Sequence, residues 1–237
     1  MNPNLDLDKC VPFISAELRF ASRESPPTWE RPRPVVTISR QSGCGAHAVA
    51  EKLAAYLEAH GGVASCPWKV FDSNLVAAVL AEHKLPRRFA KFMPEDRASQ
   101  ITETMDELLG VHPPSSVLVS HTRETILRLA QRGNVVLIGR GANAITSDRE
   151  NVIHVRLVAS LDKRLEHFRL MRDVPKAIAL KALRSEDRAR RRYMKQHFNA
   201  DLEDPLLYHL VINTGLVSYE KAARLIGDVV LKGVCLR

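Results

Sequence analysis

The chain has 237 residues, 45% of them hydrophobic, and a formal net charge of +8. That length suits one large domain with inserted lobes, and the charge favours polyanionic partners. Aromatic residues make up 5%, too few for the stacking platforms of single-stranded nucleic-acid binders, and no apolar run reaches membrane-spanning length.

The N-terminus carries Asp6 and Asp8 without an apolar core, so it does not read as a secretory signal. Residues 1–34 read as an extension. Pro26, Pro27, Pro32 and Pro34 stiffen its second half, and Val11 to Phe20 can form a short helix. Cys10, Cys44, Cys66 and Cys235 are scattered without a C-x-x-C pair. Neither a zinc site nor a disulfide framework is indicated, and a reducing, cytoplasmic compartment fits.

Val35 to Ile38 is a β-branched run that predicts a buried strand. Ser39 to Gly45 is polar and holds two glycines, a tight loop. From Ala46 the period becomes helical, with Val49, Leu53, Tyr56 and Leu57 on one face and Gly61-Gly62 as the stop. A strand, a glycine loop and a helix N-terminus together make an anion pocket, because the first-turn amides lack partners and the helix dipole favours negative charge. The phosphate-loop pattern G-x-x-x-x-G-K-[ST] is met only in part. Aligned on Gly45, Arg40 stands at the first glycine, Ala46 at the lysine and His47 at the Ser/Thr. Cys44 precedes the helix, a place that favours a thiolate, although an inert loop residue is the simpler reading.

Trp68 to Phe71 predicts a second strand, and Asp72 or Ser73 caps a helix running to about His83. Asp72 is either that cap or a polar group at a strand's carboxyl end, where α/β folds place ligands. Lys84 to Pro114 is basic and broken by prolines, with a helix over 94–109, and 115–132 is a longer helix with Val119, Ile126 and Leu129 inward and His121 mid-helix, a packed or partly exposed residue rather than a catalyst. Asn134 to Gly139 is a strand buried on both faces. It ends in Arg140, which faces either a ligand or an internal acid. Val152 to Ala159 is a further strand, interrupted by His154 and Arg156, and Ser160 caps a helix carrying Leu161, Leu165, Phe168 and Met171.

Between Arg169 and Lys195 lie ten Lys/Arg against three acids, nearly the whole net charge of the chain. Asp187 and Arg190, three apart, share a helix face. Tyr208 to Thr214 is the last strand, followed by a helix from Ser218 or Tyr219. Alternating β and α predicts an α/β fold with a parallel sheet covered on both faces.

Four pieces in order resemble the cytidylate kinase-like family of P-loop nucleoside monophosphate kinases: TISRQSGCGAHAVAEKLA, VFDSNLV, VVLIGRGANAI, and Asp187-x-x-Arg190 followed by DPLLYHLVINT. The resemblance spans roughly Val35 to Ile226. It implies a three-layer fold with a five-stranded parallel sheet in a domain over 35–237, a helical monophosphate-binding lobe over 72–114 and a lid over 171–204. The implied reaction moves the γ-phosphoryl group of ATP to CMP or dCMP, with Mg2+. Donor phosphates would be held by Ser39, Arg40, Gly43, Cys44, Gly45, Ala46 and His47, with Arg184 and Arg188 assisting. Arg140, with Asp72, would bind the acceptor, and Arg190, oriented by Asp187, would stabilise the group in transfer. No protein residue is assigned to a metal. Gly141 stands where better-known cytidylate kinases have an aspartate, and His209 replaces the aspartate of the usual Y-D-L. Two other readings stay open. One is a nucleotide-binding module of weak or no catalysis, suggested by Ala46 and His47. The other is a nucleic-acid binder using the basic segment, which the low aromatic content disfavours.

Overall fold

The structure, a computed structural model, describes residues 32–61, 67–72, 75, 79–80, 83–84 and 115–233. The extension up to residue 31, most of the expected lobe over 72–114 and its helix over 94–109 lie outside the described residues.

Five strands form one sheet: β1 (Val35–Arg40), β2 (Lys69–Phe71), β3 (Val135–Ile138), β4 (Val152–Val158) and β5 (Leu210–Asn213). Their order is β2-β3-β1-β4-β5, and every pairing is parallel. The helices are α1 (Ala46–His60), α2 (Ser115–Arg132), the short α3 (Ala142–Ile145), α4 (Leu161–Arg172), α5 (Lys176–Phe198) and α6 (Tyr219–Leu231). Leu75, Val79 and Leu80 are helical as well. β1 is central, with Val35 opposite Val135 of β3 and Val152 of β4.

The strand period of two divides the core into two layers. Val36 and Ile38 pack with Val136, Ile138, Val49, Leu53, Leu57 and Ile226, the face covered by α1 and α6. Val35 packs with Val135, Leu137, Val152, Ile126 and Leu129, the face covered by α2 and α3. This is the doubly covered parallel sheet that the continuous apolar strands require. Within α2, Leu118 is buried and Val119 only half-buried, so the helix is turned slightly from the expected face.

α4 and α5 form a hairpin with its own small core of Leu165, Phe168, Ala179 and Leu183. Ser160 caps α4, its Oγ accepting the Lys163 amide at 3.4 Å. α4 stops at Asp173, which is left-handed at φ 48°, and Pro175 precedes α5. Leu161 and Met171, expected on the apolar face, are exposed at 36% and 71%, because the hairpin core needs only the middle of α4.

Two close contacts set the tolerance of this frame. A Cβ on Gly227 of α6 would lie 2.3 Å from the Tyr56 ring of α1, and that ring is tethered by its hydroxyl, which donates to Asp228 Oδ1 at 2.6 Å. Gly227→Ala should therefore destabilise the protein by about 1–3 kcal/mol through overpacking, despite the higher helix propensity of alanine; the midpoint of urea denaturation measures it. The second contact is polar. His154 of β4 lies opposite Thr37 of β1, its Nδ1 is 2.8 Å from Thr37 Oγ1, and its amide donates to His209 Nδ1 at 2.9 Å. Burial, aided by the neighbouring His209, pushes the His154 imidazole from an ordinary 6.5 down to about 4. The folded state thus keeps His154 neutral while the unfolded chain takes up a proton below pH 6.5. Stability from this group is complete above pH 6.5 and falls as pH drops to 4, by about 3 kcal/mol. Chemical denaturation across pH 4–7 should show this slope, and His154→Leu should flatten it.

Candidate functional site

The loop between β1 and α1 is lashed to the carboxyl ends of its neighbours. The Gln41 amide donates to the Leu157 carbonyl at 3.0 Å, and Gln41 Oε1 accepts the Ala159 amide at 3.1 Å. Thr214 Oγ1 donates to the Cys44 carbonyl at 3.1 Å. Gly43 and Gly45 are left-handed, at φ 83° and 73°. Each is also pressed by a neighbour: a Cβ on Gly43 would meet the Arg164 carbonyl oxygen at 2.5 Å, and one on Gly45 the Tyr219 ring at 2.3 Å. Glycine is required at both by conformation and by space. Gly45 is the N-cap of α1, which has no side-chain cap and no acid in its first turn. Its first-turn amides therefore have no side-chain cap.

In this structure carboxylates from α5 reach that loop. The Ser42 amide donates to Asp187 Oδ1 at 2.7 Å, and Ser42 Oγ donates to Glu186 Oε2 at 2.8 Å. Guanidinium groups bracket the acids. Arg164 Nη1 donates to Asp187 Oδ2 at 2.6 Å and to the Ser42 carbonyl at 3.2 Å. Arg190 Nη1 donates to Ser42 Oγ and lies 3.5 Å from Asp187 Oδ1, with its Nη2 3.5 Å from Glu186 Oε2. Arg172 reaches Glu186 Oε1 at 3.2 Å. Arg164, Glu186, Asp187 and Arg190 are each no more than 14% exposed along the side chain, so these charge-assisted bonds act at reduced dielectric. Among the described residues, Arg164 Nε is buried without a hydrogen-bond partner. A buried guanidinium N–H left over beside a glycine cradle fits an anionic ligand larger than the carboxylates now present.

The other sequence-derived candidates fall into three places. Ser39, Arg40 and Arg190 line a cleft between the ends of β1 and β3, together with Gly139, Gly141, Met194 and Leu202. Arg140, between the lining residues Gly139 and Gly141 but not itself lining the cleft, is half-buried in a run of three left-handed residues: Gly139 at φ 77°, Arg140 at 58° and Gly141 at 68°. A non-glycine residue held there is under backbone strain. Gly141 is glycine for a second reason, since a Cβ would meet the Phe198 ring of α5 at 2.3 Å. Arg184 and Arg188 line a separate groove of about 640 Å³ between α4 and α5, with Arg164, Lys181, Asp187 and Arg191. Of the ten Lys/Arg in 169–195, Arg190 alone is buried. His47 and Asp72 come together, His47 Nδ1 lying 3.6 Å from Asp72 Oδ2, while His47 Nε2 is 3.2 Å from Glu51. Ala46 packs in the core. Cys44 is buried, and its thiol is pushed up to about 11 by desolvation despite the Arg164 charge, the inert alternative rather than the thiolate.

Three members of the network escaped sequence reasoning. Ser42 is one more polar residue in a polar loop, Arg164 is one more arginine on an amphipathic helix, and Glu186 is masked by basic neighbours. Arg156 of β4 is a fourth. It is 2% exposed, donates to Ser39 Oγ at 3.1 Å and pairs with Glu203 at 2.8 Å, holding the floor of the cleft. A charged residue in an otherwise apolar strand was the available signal for it.

The protein named cytidylate kinase from Methanocaldococcus jannaschii is 28% identical over 149 residues, covering 60% of this chain and 82% of that protein. The crystal structure of an uncharacterized protein from Eubacterium ventriosum superposes with a TM-score of 0.60 at 19% identity, covering 84% of this chain and 98% of that one, a likeness of fold. Shikimate kinase from Bacteroides thetaiotaomicron superposes with a TM-score of 0.47 at 10% identity, covering 83% of this chain and 97% of its own. The cytidylate kinase-like family model matches residues 35–216, and with the glycine loop, the parallel sheet and the arginine-bearing hairpin in place, the chain belongs to that family.

Proposed function

We propose that this protein is a nucleoside monophosphate kinase that transfers the γ-phosphoryl group of ATP to CMP or dCMP. The observation that carries the reading is the Ser42 amide and hydroxyl bound to two carboxylates and ringed by Arg164 and Arg190. The carboxylate oxygens stand in for phosphate oxygens, so the loop is an anion cradle in use.

In the reaction, the bond from Pγ to the β,γ-bridging oxygen breaks and one from Pγ to an acceptor phosphate oxygen forms, leaving ADP. The acceptor is already ionised, so positioning and charge neutralisation carry the rate. The amides of 40–47 hold the donor phosphates, and Glu186 and Asp187 withdraw from Ser42 as those phosphates enter. Arg164 and Arg190, released from the acids, turn to the transferred group and take over the charge that a phosphate-loop lysine supplies where Ala46 stands. Arg184 and Arg188, in the adjoining groove, reach the donor. Arg140 binds the acceptor phosphate, with Asp72 beside the acceptor, and Phe198 over Gly141 takes the room of a base-selecting aspartate. The α4–α5 hairpin acts as the lid that excludes water. Mg2+, if bound, would supply neutralisation of phosphate charge. Ser42 Oγ, freed as the carboxylates withdraw, is the hard oxygen donor at the loop that would hold it.

A coupled ADP-release assay with CMP, dCMP, UMP and AMP tests this reading. The expected result is turnover highest with CMP or dCMP. No turnover with any acceptor at millimolar concentration sinks it, and nucleotide binding by calorimetry without transfer would mark a binding module instead. Arg190→Ala should lower kcat by about 10²–10³ with a smaller change in KM, the size of losing one preorganised charge donor. Glu186→Gln removes a competitor for the cradle. It should tighten binding of a non-hydrolysable ATP analogue by about tenfold, near 1.4 kcal/mol, as read by calorimetry.

A further inference from the structure

We propose that His83, His121 and Glu124 form a binding site for a divalent transition metal of the zinc type, separate from the phosphate-loop network. His121 and Glu124 are three apart on α2 and share a face. His83 comes from the helical turn after β2, where its amide donates to the Val79 carbonyl at 3.0 Å. The two imidazoles stack at 3.9 Å between centroids, tilted by 38°, and His83 Nε2 is 3.9 Å from Glu124 Oε2. One ligand atom from each of the three residues lies within 4.8 Å of the other two.

The donor set selects the ion. Two imidazole nitrogens and one carboxylate oxygen suit Zn2+, Co2+ or Ni2+, whereas Mg2+ and Ca2+ take oxygen shells. Tetrahedral zinc holds its ligand atoms roughly 3.4 Å apart, so the trio closes by no more than about 1.4 Å. Side-chain rotation covers that distance, since the Glu124 side chain is 48% exposed. Glu124 is already turned the right way. Its Oε1 accepts from Arg128 Nη2 at 2.5 Å, which leaves Oε2 toward His83, an outer-shell arrangement common around metal ligands. Thr125 Oγ1, 3.4 Å from His83 Nε2, is the partner that the metal replaces. Three protein ligands leave a fourth position for water. The ion clips the segment after β2 to α2, so its binding stabilises the folded chain.

The test uses the full chain, stripped with a chelator and without nucleotide. Titration with ZnCl2 by calorimetry should show one equivalent bound with micromolar or tighter affinity, and Tm should rise with zinc but not with equimolar Mg2+. The Co2+ form should show d–d absorption without thiolate-to-metal charge transfer, which separates this site from the four cysteines. His121→Gln and the half-exposed Glu124→Gln should each weaken zinc at least tenfold with an unchanged circular dichroism spectrum. The glutamate variant keeps the test valid if the histidine variant misfolds. Absence of saturable uptake, a thiolate signature in the Co2+ form, or affinity unchanged in Glu124→Gln would overturn the proposal.

Discussion

A buried backbone amide must find an acceptor, and in this protein the Ser42 amide finds the carboxylate of Asp187. The rest of the site follows from that demand. The amide, the hydroxyl of the same serine and the end of α1 create positive potential. Two acids from α5 answer it, and two buried arginines answer the acids. None of these charges could be buried alone, because desolvation would cost more than any single pair returns. As a set they hold the α4–α5 hairpin against the loop.

The support beneath the loop is of a different character. Ser39, next to last in β1, lies among Arg156, Tyr208 and the Leu202 carbonyl, with Tyr208 Oη 3.2 Å from Ser39 Oγ and 3.0 Å from that carbonyl. Glu203 closes the Arg156 pair. This buried polar layer ties β1 to β4 and to the chain after α5, so the floor of the cleft is rigid while its roof is a hairpin with a small core of its own. On the β3 side, the left-handed run through Arg140 and the contact of Phe198 with Gly141 set the cleft width. The departures from the better-known family pattern then have a physical sense. Ala46 belongs to the hydrophobic core, and Gly141 makes room for an aromatic ring.

Much of this was legible in the chain. β-branched runs and their spacing give the strands, because period-two burial leaves few other residue choices. Ser160 and Ser218 mark the starts of α4 and α6 by their side chains. The glycine loop, Asp187 and Arg190 are readable because local geometry forces them: left-handed turns need glycine, and a three-residue spacing puts an acid and a base on one face. The partners of Asp187 are not local. Its shortest contacts are with Arg164 and Ser42, at 2.6 and 2.7 Å, rather than with Arg190 at 3.5 Å, and nothing in the neighbouring sequence distinguishes Arg164 from other arginines.

The amino-acid order by itself determined the alternation of strands and helices, the anion-seeking turn after β1 and the excess of positive charge in α4 and α5. These are properties of short windows, set by backbone sterics, side-chain period and composition. Only the tertiary structure decided which one of ten clustered cations is buried, that Cys44 is a shielded thiol, and that His83 meets His121. Those outcomes depend on desolvation and on contacts between segments far apart in the chain, which no local pattern encodes.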